Sequence, residues 1–454
     1  MSGSLLSEKQ RTELNRSLVA YLSCQSVPHD TIARIAKDLD VSLAPDANEN
    51  KKQAQIIEKK WTSVVRLQRK VLELEAQVTT LKSELENVSS SSLGSGALGG
   101  SRKPADVISW LPRTARHTLS SHRQPVTAVA FHSVFSALAS ACEDGTIKIW
   151  DWELGELERT IKAHTKAVVD VDYGGQPGEE LLASCSSDLT IKLWDPQNDY
   201  ANIKTLSGHD HTISSVRFTP NGAYLISASR DKTLRVWDVK SGYAVRTIHG
   251  HSDWVKTVCP SMDSEYALSA GIDQTARISS ISTGETKLVL IGHEHVIESA
   301  EFAPRSAYKY LASIEGLKKP VESSFSSSFE YVATASRDKT IKLWNTRGEV
   351  IKTLSGHDNW VRQVAFHPGG KYLISVSDDK SMRCWDLSQQ GRCVKVISEA
   401  HNHFVSCLRW APRITSVNES TNNDHDDNES NDKDLKGVRL VLATGSVDLD
   451  VKVW

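Results

Sequence analysis

Apolar residues follow three different periods along the chain, and each period predicts a different kind of structure. Over residues 1–45, Leu14, Leu18, Tyr21 and Leu22 stand at i, i+4, i+7 and i+8 and share one helix face. Pro28 and Asp30 suit the opening of a second short helix, whose stripe is Ile32, Ile35, Ala36 and Leu39. Two helices this short cannot bury both faces alone, so a second copy of the chain is expected against them. Over residues 46–88 the period becomes seven: Ile57, Val64, Val71, Val78 and Leu85 take the a positions, and Leu67, Leu74, Leu81 and Val88 the d positions. β-branched a residues with leucine at d favour a parallel two-stranded coiled coil. Lys70 and Glu75 of the other strand form an attractive pair in that register, and Lys60 beside Trp61 is its one lapse. The alternative is a helix packed on the remainder of its own chain. Residues 89–106, rich in Ser and Gly, read as a flexible linker.

From residue 107 to residue 454 the pattern is a repeat of short strands. Trp150, Trp194, Trp237, Trp344, Trp385 and Trp454 close successive units, and Ser279 stands at the closing position of the fourth. Six residues before each closing position lies an aspartate: Asp144, Asp188, Asp231, Asp273, Asp338, Asp379 and Asp448. Four residues before each aspartate lies a hydroxyl, and a histidine (His122, His164, His209, His251, His293, His357, His401) opens every unit. This is the Gly-His to Trp-Asp period of WD-repeat blades. The predicted fold is therefore an all-β seven-bladed WD-repeat propeller, preceded by a short all-α dimerisation region.

Histidine, hydroxyl and aspartate are also the residue types of a hydrolase triad. Catalysis needs one activated constellation in a pocket, whereas this set recurs in every unit. A buried hydrogen-bond chain of indole, hydroxyl, imidazole and carboxylate, fixing the turn between the second and third strands, explains the recurrence. Blade four, without the indole, is expected to be the softest. Unit seven ends on its third strand at Trp454, and His117-Thr-Leu119 matches the Thr-Leu that precedes His209 and His357. The N-terminal end of the repeats should thus supply the missing outer strand and remove an exposed edge. Histidine-to-closing distances of 51 and 53 residues in blades five and seven, against 28 to 30 elsewhere, place insertions near 304–328 and 413–436, between first and second strands. Both lie on the face opposite the Asp-bearing turns; the second is polar, acidic and lacks the spacing of a calcium loop.

The face left open is polarised. Arg230 and Lys232, Arg337 and Lys339, and Lys380 flank turn aspartates of blades three, five and six. Trp254, Lys256, Trp360, Arg362 and Phe404 stand where the chain enters blades four, six and seven. Blades one and two hold Pro125, Ala167, Gly145 and Leu189 at these places. A basic rim with exposed aromatics has the composition of a protein-binding hot spot, the bland alternative being a solvated face. Neither Arg230 nor Arg337 belongs to the repeated network, so reversing their charges is expected to leave the melting curve intact.

Composition narrows the classes. A net charge of −2 gives no basic excess for nucleic acid. The N-terminus lacks a signal-peptide run, and no stretch is long enough to span a bilayer. Seven scattered cysteines with no C-x-x-C read as reduced thiols in a cytosolic protein. No metal-ligand spacing, phosphate-binding glycine loop or unique nucleophile is present, so neither enzymatic activity nor a cofactor is expected.

The order of parts, with Lys60-Trp61-Thr-Ser-Val-Val-Arg66-Leu67-Gln68 in the coil, and the segments Ser227-Ala-Ser-Arg230-Asp231-Lys-Thr and Gly356-His-Asp-Asn-Trp360-Val-Arg362, resembles the lissencephaly protein family, called nuclear distribution protein F in fungi. The N-terminal helices resemble its dimerising LisH motif. The resemblance implies a cytoplasmic homodimer that binds and regulates the cytoplasmic dynein motor domain at microtubule ends and spindle poles, in nuclear migration and spindle positioning. It also implies a coiled-coil adaptor of the nuclear distribution E type as a partner. The family's motor-contacting positions correspond to Arg230, Lys256, Arg337, Trp360 and Lys380, with lysine at 256 where arginine is usual. Two other readings stay open: a regulatory subunit of a lipid acetylhydrolase, as animal members suggest, and a substrate receptor of a ubiquitin ligase.

Overall fold

The computed structural model describes residues 110–176, 178–317, 329–412 and 440–454, with Asn15, Leu18, Val19, Leu22, Thr31, Arg34 and Ile35 near the N-terminus. The chain divides into two units, Met1–Lys103 and Pro104–Trp454. In the first unit all seven described residues are helical; Val19 is fully buried and Leu18 is 42 % exposed. Of the predicted dimer residues only Leu18 and Ile35 are described. Leu14, Ile32, Val64, Leu67, Val71, Leu74, Val78 and Leu81, with the whole predicted coil and the Ser/Gly linker, lie outside the described residues.

The second unit is a propeller of seven four-stranded antiparallel sheets. Blade one is strand a Val126–Phe131, b Ala137–Cys142, c Thr146–Asp151 and d Glu156–Lys162. The other blades repeat this meander, and the seven a strands pack side by side in a closed ring. Burial dictates what each strand is made of. The b strands are buried at every position, as in blades one and five (ALASAC and YVATAS), or at all but their first residues; they carry many small or β-branched residues that admit a neighbouring sheet on both faces. The d strands face solvent: in ELERTIK only Ile161 is buried.

The core lies between blades rather than within them. Trp150, Trp194, Trp237, Trp344, Trp385 and Trp454 each pack with residues of the preceding blade. The contact of blades three and four lacks an indole because Ser279 stands there, and Ile281 helps to fill it. Closure follows the expectation: His117–Ser120 pairs with Asp450–Val453 as the fourth strand of blade seven. The latch reaches further than the sequence indicated. Leu111 is buried, and Trp110 stacks on His367, Tyr372 and Trp410 at 4.8, 5.4 and 5.8 Å.

Both insertions join strands a and b of their blades. The first contains a helix, α1 (Tyr308–Glu315), that the sequence reading had not picked out, stopped by Gly316 at φ 85°. Its Leu311 and Ala312 are buried, Leu311 against residues of blades five and six. Glu315 accepts hydrogen bonds from Tyr331 Oη and Asn345 Nδ2, both at 2.9 Å. That second bond accounts for Asn345 in place of the usual aspartate, because only the amide can donate.

Candidate protein-binding site

The repeated polar set forms the buried chain its spacing predicts. In blade three Trp237 Nε1 donates to Ser227 Oγ at 2.8 Å, Ser227 Oγ lies 2.7 Å from His209 Nε2, and His209 Nδ1 lies 2.6 Å from Asp231 Oδ2. With the carboxylate ionised, Nδ1 carries the proton and Nε2 accepts from the hydroxyl, a tautomer assigned from the network. Blades two, five, six and seven repeat the set. The hydroxyls of Ser184, Ser227, Thr334, Ser375 and Thr444 are fully buried with an indole N–H bound to each. A nucleophile needs open space beside it, so these triads hold turns.

Two blades depart from the set. Blade four keeps His251, Ser269 and Asp273 and lacks the indole, as the sequence indicated. Blade one, expected to be complete, keeps Trp150, Ser140 and His122, but His122 Nδ1 makes no hydrogen bond to Asp144, which accepts from Thr146 as its counterparts do from their own i+2 hydroxyls. Burial, with Lys148 adding to it, pushes the His122 imidazole down to about 4. Elsewhere the carboxylates gain from their partners. Burial alone would raise Asp188, yet Thr190 and His164 bring it down to about 2.

These turns fix the rim. The residue after each turn aspartate adopts a left-handed backbone: Gly145, Leu189, Lys232, Gln274, Lys339, Lys380 and Leu449, with φ between 62° and 82°. Lys232, Lys339 and Lys380 are thereby presented at the surface from strained positions, all exposed. One residue before the aspartate, Arg230 lies over the Trp254 ring at 4.8 Å and Arg337 over the Trp360 ring at 4.3 Å. The same stack therefore joins blade three to four and blade five to six. Arg362 also lies over the Trp360 ring, at 5.2 Å, so that indole has two guanidinium groups in contact with it.

A second repeated device faces the central channel. The register of every a–b pair skips the second residue of strand a, a β-bulge that leaves Thr127, Val169, Ser214, Lys256, Glu298, Arg362 and Ser406 outside the ladder. All seven line one cavity of about 340 Å³ at the channel mouth. In blades four, five and six the bulge residues are charged and meet. Glu298 lies 3.4 Å from Lys256 Nζ and 3.6 Å from Arg362 Nη1, and accepts a short hydrogen bond from Arg337 Nε. Arg362 also donates twice to Asp378, at 2.7 Å each. Burial alone would raise the Glu298 carboxyl, but Lys256, Arg337 and Arg362 hold it below its ordinary value. Burial lowers Lys256 more than Glu298 restores it. Deeper in the channel, burial pushes Glu301 up to about 7 against Arg409 and Arg217.

All seven residues singled out from the sequence (Arg230, Trp254, Lys256, Arg337, Trp360, Arg362 and Lys380) thus lie on the rim formed by b–c turns and strand a entries, but they divide into two kinds. Among the described residues Arg230, Lys232, Lys339 and Lys380 have no carboxylate partner. Lys256, Arg337 and Arg362 are tied to buried acids. Arg337 stands outside the repeated network, as expected, but it is tied to Glu298, which is only 8 % exposed, so its charge is not independent of the fold. The sequence reading missed Glu298. It stands two residues after Val296, at the repeat position that Lys256 holds after Trp254 and Arg362 after Trp360, so an alignment of the seven units on their histidines would have found it.

Comparison with known proteins agrees with this architecture. The family model for the WD domain, G-beta repeat, matches residues 113–151, 155–195, 201–238, 242–278, 284–345 and 348–386. Over 99 % of both chains the sequence is 53 % identical to the nuclear distribution protein PAC1 of Coccidioides posadasii, 50 % to that of Arthroderma otae and 51 % to that of Gibberella zeae.

Proposed function

The chain belongs to the nuclear distribution protein PAC1 family of WD-repeat proteins, and on that premise we propose that it is a non-catalytic scaffold that binds and regulates the motor domain of cytoplasmic dynein. Two copies would be joined through residues 1–88, giving a homodimer that works at microtubule ends and spindle poles, with a coiled-coil adaptor of the nuclear distribution E type as a further partner. The observation that carries the reading is the paired Arg–Trp stack on one rim. Planar cations laid on indoles offer large contact area at small entropic cost, and this is the residue pairing in which binding energy concentrates. The unpaired Arg230, Lys232, Lys339 and Lys380 around the stacks supply the field that attracts an acidic surface. The exposure of Leu18, an apolar residue on a helix, supports a second copy.

The test is co-sedimentation of the full chain with purified dynein motor domain on microtubules. The chain should pellet only when the motor is present. Trp360→Ala should weaken this association by about 2 kcal/mol, chiefly through faster dissociation. Pelleting with bare microtubules, or a Trp360→Ala chain that binds the motor like the parent, would refute the proposal.

A further inference from the structure

The three charged bulge residues at the channel mouth belong to three consecutive blades, and one of them carries the opposite sign. Glu298 alone touches Lys256 of blade four, Arg337 of its own blade and Arg362 of blade six. A carboxylate 8 % exposed cannot be offered to a partner, and on a face meant to attract acidic groups its charge is unfavourable. Its geometry supplies the reason for its presence. Arg337 presents its Nε edge to Glu298 while its guanidinium carbon lies 4.3 Å over Trp360. Arg362 is fixed from two sides, by Glu298 at 3.6 Å and by the 3 % exposed carboxylate of Asp378, and lies 5.2 Å over the same ring. One indole is thus contacted by two cations, each held by a buried acid.

We propose that Glu298, seconded by Asp378, is the positioning residue of the rim: it holds Arg337 and Arg362 against Trp360, so that an acidic protein surface meets a pre-formed stack. This rests on the rim being the partner-binding face. Long cationic side chains lose rotamer freedom when they are immobilised on binding, and holding them beforehand removes that cost. Among the described residues Arg230 has no carboxylate partner, and it serves the approach of the partner, while the Trp360 stack serves its retention.

The assay follows from the sign of the charge. Glu298→Gln makes the rim one unit more positive. If Glu298 merely dilutes the field, the variant associates faster with the dynein motor domain and dissociates at the parent rate. If it positions the stack, dissociation accelerates at least fivefold while association is unchanged or faster, a split that partial unfolding does not produce because dissociation reports only complexes that formed. Glu298→Asp, which keeps the charge, should recover part of the lifetime. The full-length chain is measured on immobilised motor domain, beside Arg230→Ala and Lys380→Ala. An unchanged dissociation rate in Glu298→Gln, with slower association in the two alanine variants, overturns the positioning role and leaves the binding face standing. Unchanged kinetics in all three variants overturns both.

Discussion

Reversing the charge of Arg230 and of Arg337 should have unequal effects on the propeller itself. Arg230→Glu removes one stack on the half-exposed Trp254, about 0.5–1 kcal/mol for a cation over an accessible ring. Arg337→Glu removes the stack on Trp360 and the ion pair with Glu298, and sets a new carboxylate beside a buried one. Two like charges about 4 Å apart repel by about 4 kcal/mol at an effective dielectric constant of 20. Lys256 at 3.4 Å and Arg362 at 3.6 Å remain to offset part of that, and the new side chain can turn outward. A loss of about 2–4 kcal/mol remains. The assay is urea unfolding of the chain from residue 101 onward, followed by far-ultraviolet circular dichroism. Arg337→Glu should lower the midpoint at least twice as far as Arg230→Glu, with the slope unchanged. Equal midpoints for the two variants would refute the internal role assigned to Arg337.

Shortening the N-terminus should act in steps. A chain beginning at Ser101 keeps the parent stability, one beginning at Arg116 loses about 3 kcal/mol with Trp110 and Leu111, and one beginning at His122 also loses the latch strand; equal unfolding of the last two would place closure elsewhere. The seven turn aspartates are all held below their ordinary values, so the stability they contribute is present above the unfolded carboxylate value of about 3.9 and is lost as pH falls through that value toward 2. Asp188→Asn should flatten the acid side of the urea-midpoint profile, because one proton fewer is taken up on unfolding, and an unaltered slope would contradict the assignment. Val71→Asp with Leu74→Asp puts unpaired charges in the predicted coiled-coil seam and should leave a folded monomer in analytical ultracentrifugation; a dimer would refute that seam.

The propeller was legible because its repeat states the same chemistry seven times. Tryptophan, hydroxyl, histidine and aspartate at fixed offsets can be read without knowing where any strand lies, and the latch followed from counting strands in the last unit. What escaped was chemistry that depends on exceptions. The missing His122–Asp144 bond is one such exception, since Asp144 keeps the bond from Thr146 that its counterparts also make and lacks only the histidine, which no spacing announces. Helix α1 is a single short element in an insertion, without a repeat to support it. The rim residues were found by composition, but composition records only that Arg337 and Arg362 are basic. Their pairing with Glu298 arises from β-bulges, which shift a side chain from the ladder to the channel and leave no mark in an isolated blade. Comparing the seven blades position by position recovers that signal.

The central claim, that the rim over blades three to six grips the dynein motor, is tested most directly by a pair of cations outside the buried network. Arg230 and Lys380 have no carboxylate partner among the described residues, so replacing both by alanine leaves the buried network untouched. The measurement is the association rate of the full-length Arg230→Ala, Lys380→Ala chain with the motor domain as a function of salt. The account predicts slower association and a weaker salt dependence, with the unfolding midpoint lowered no further than loss of the Trp254 stack explains. Parent-like association at every salt concentration, together with loss of binding when the acidic insertion 413–436 is neutralised, would contradict it.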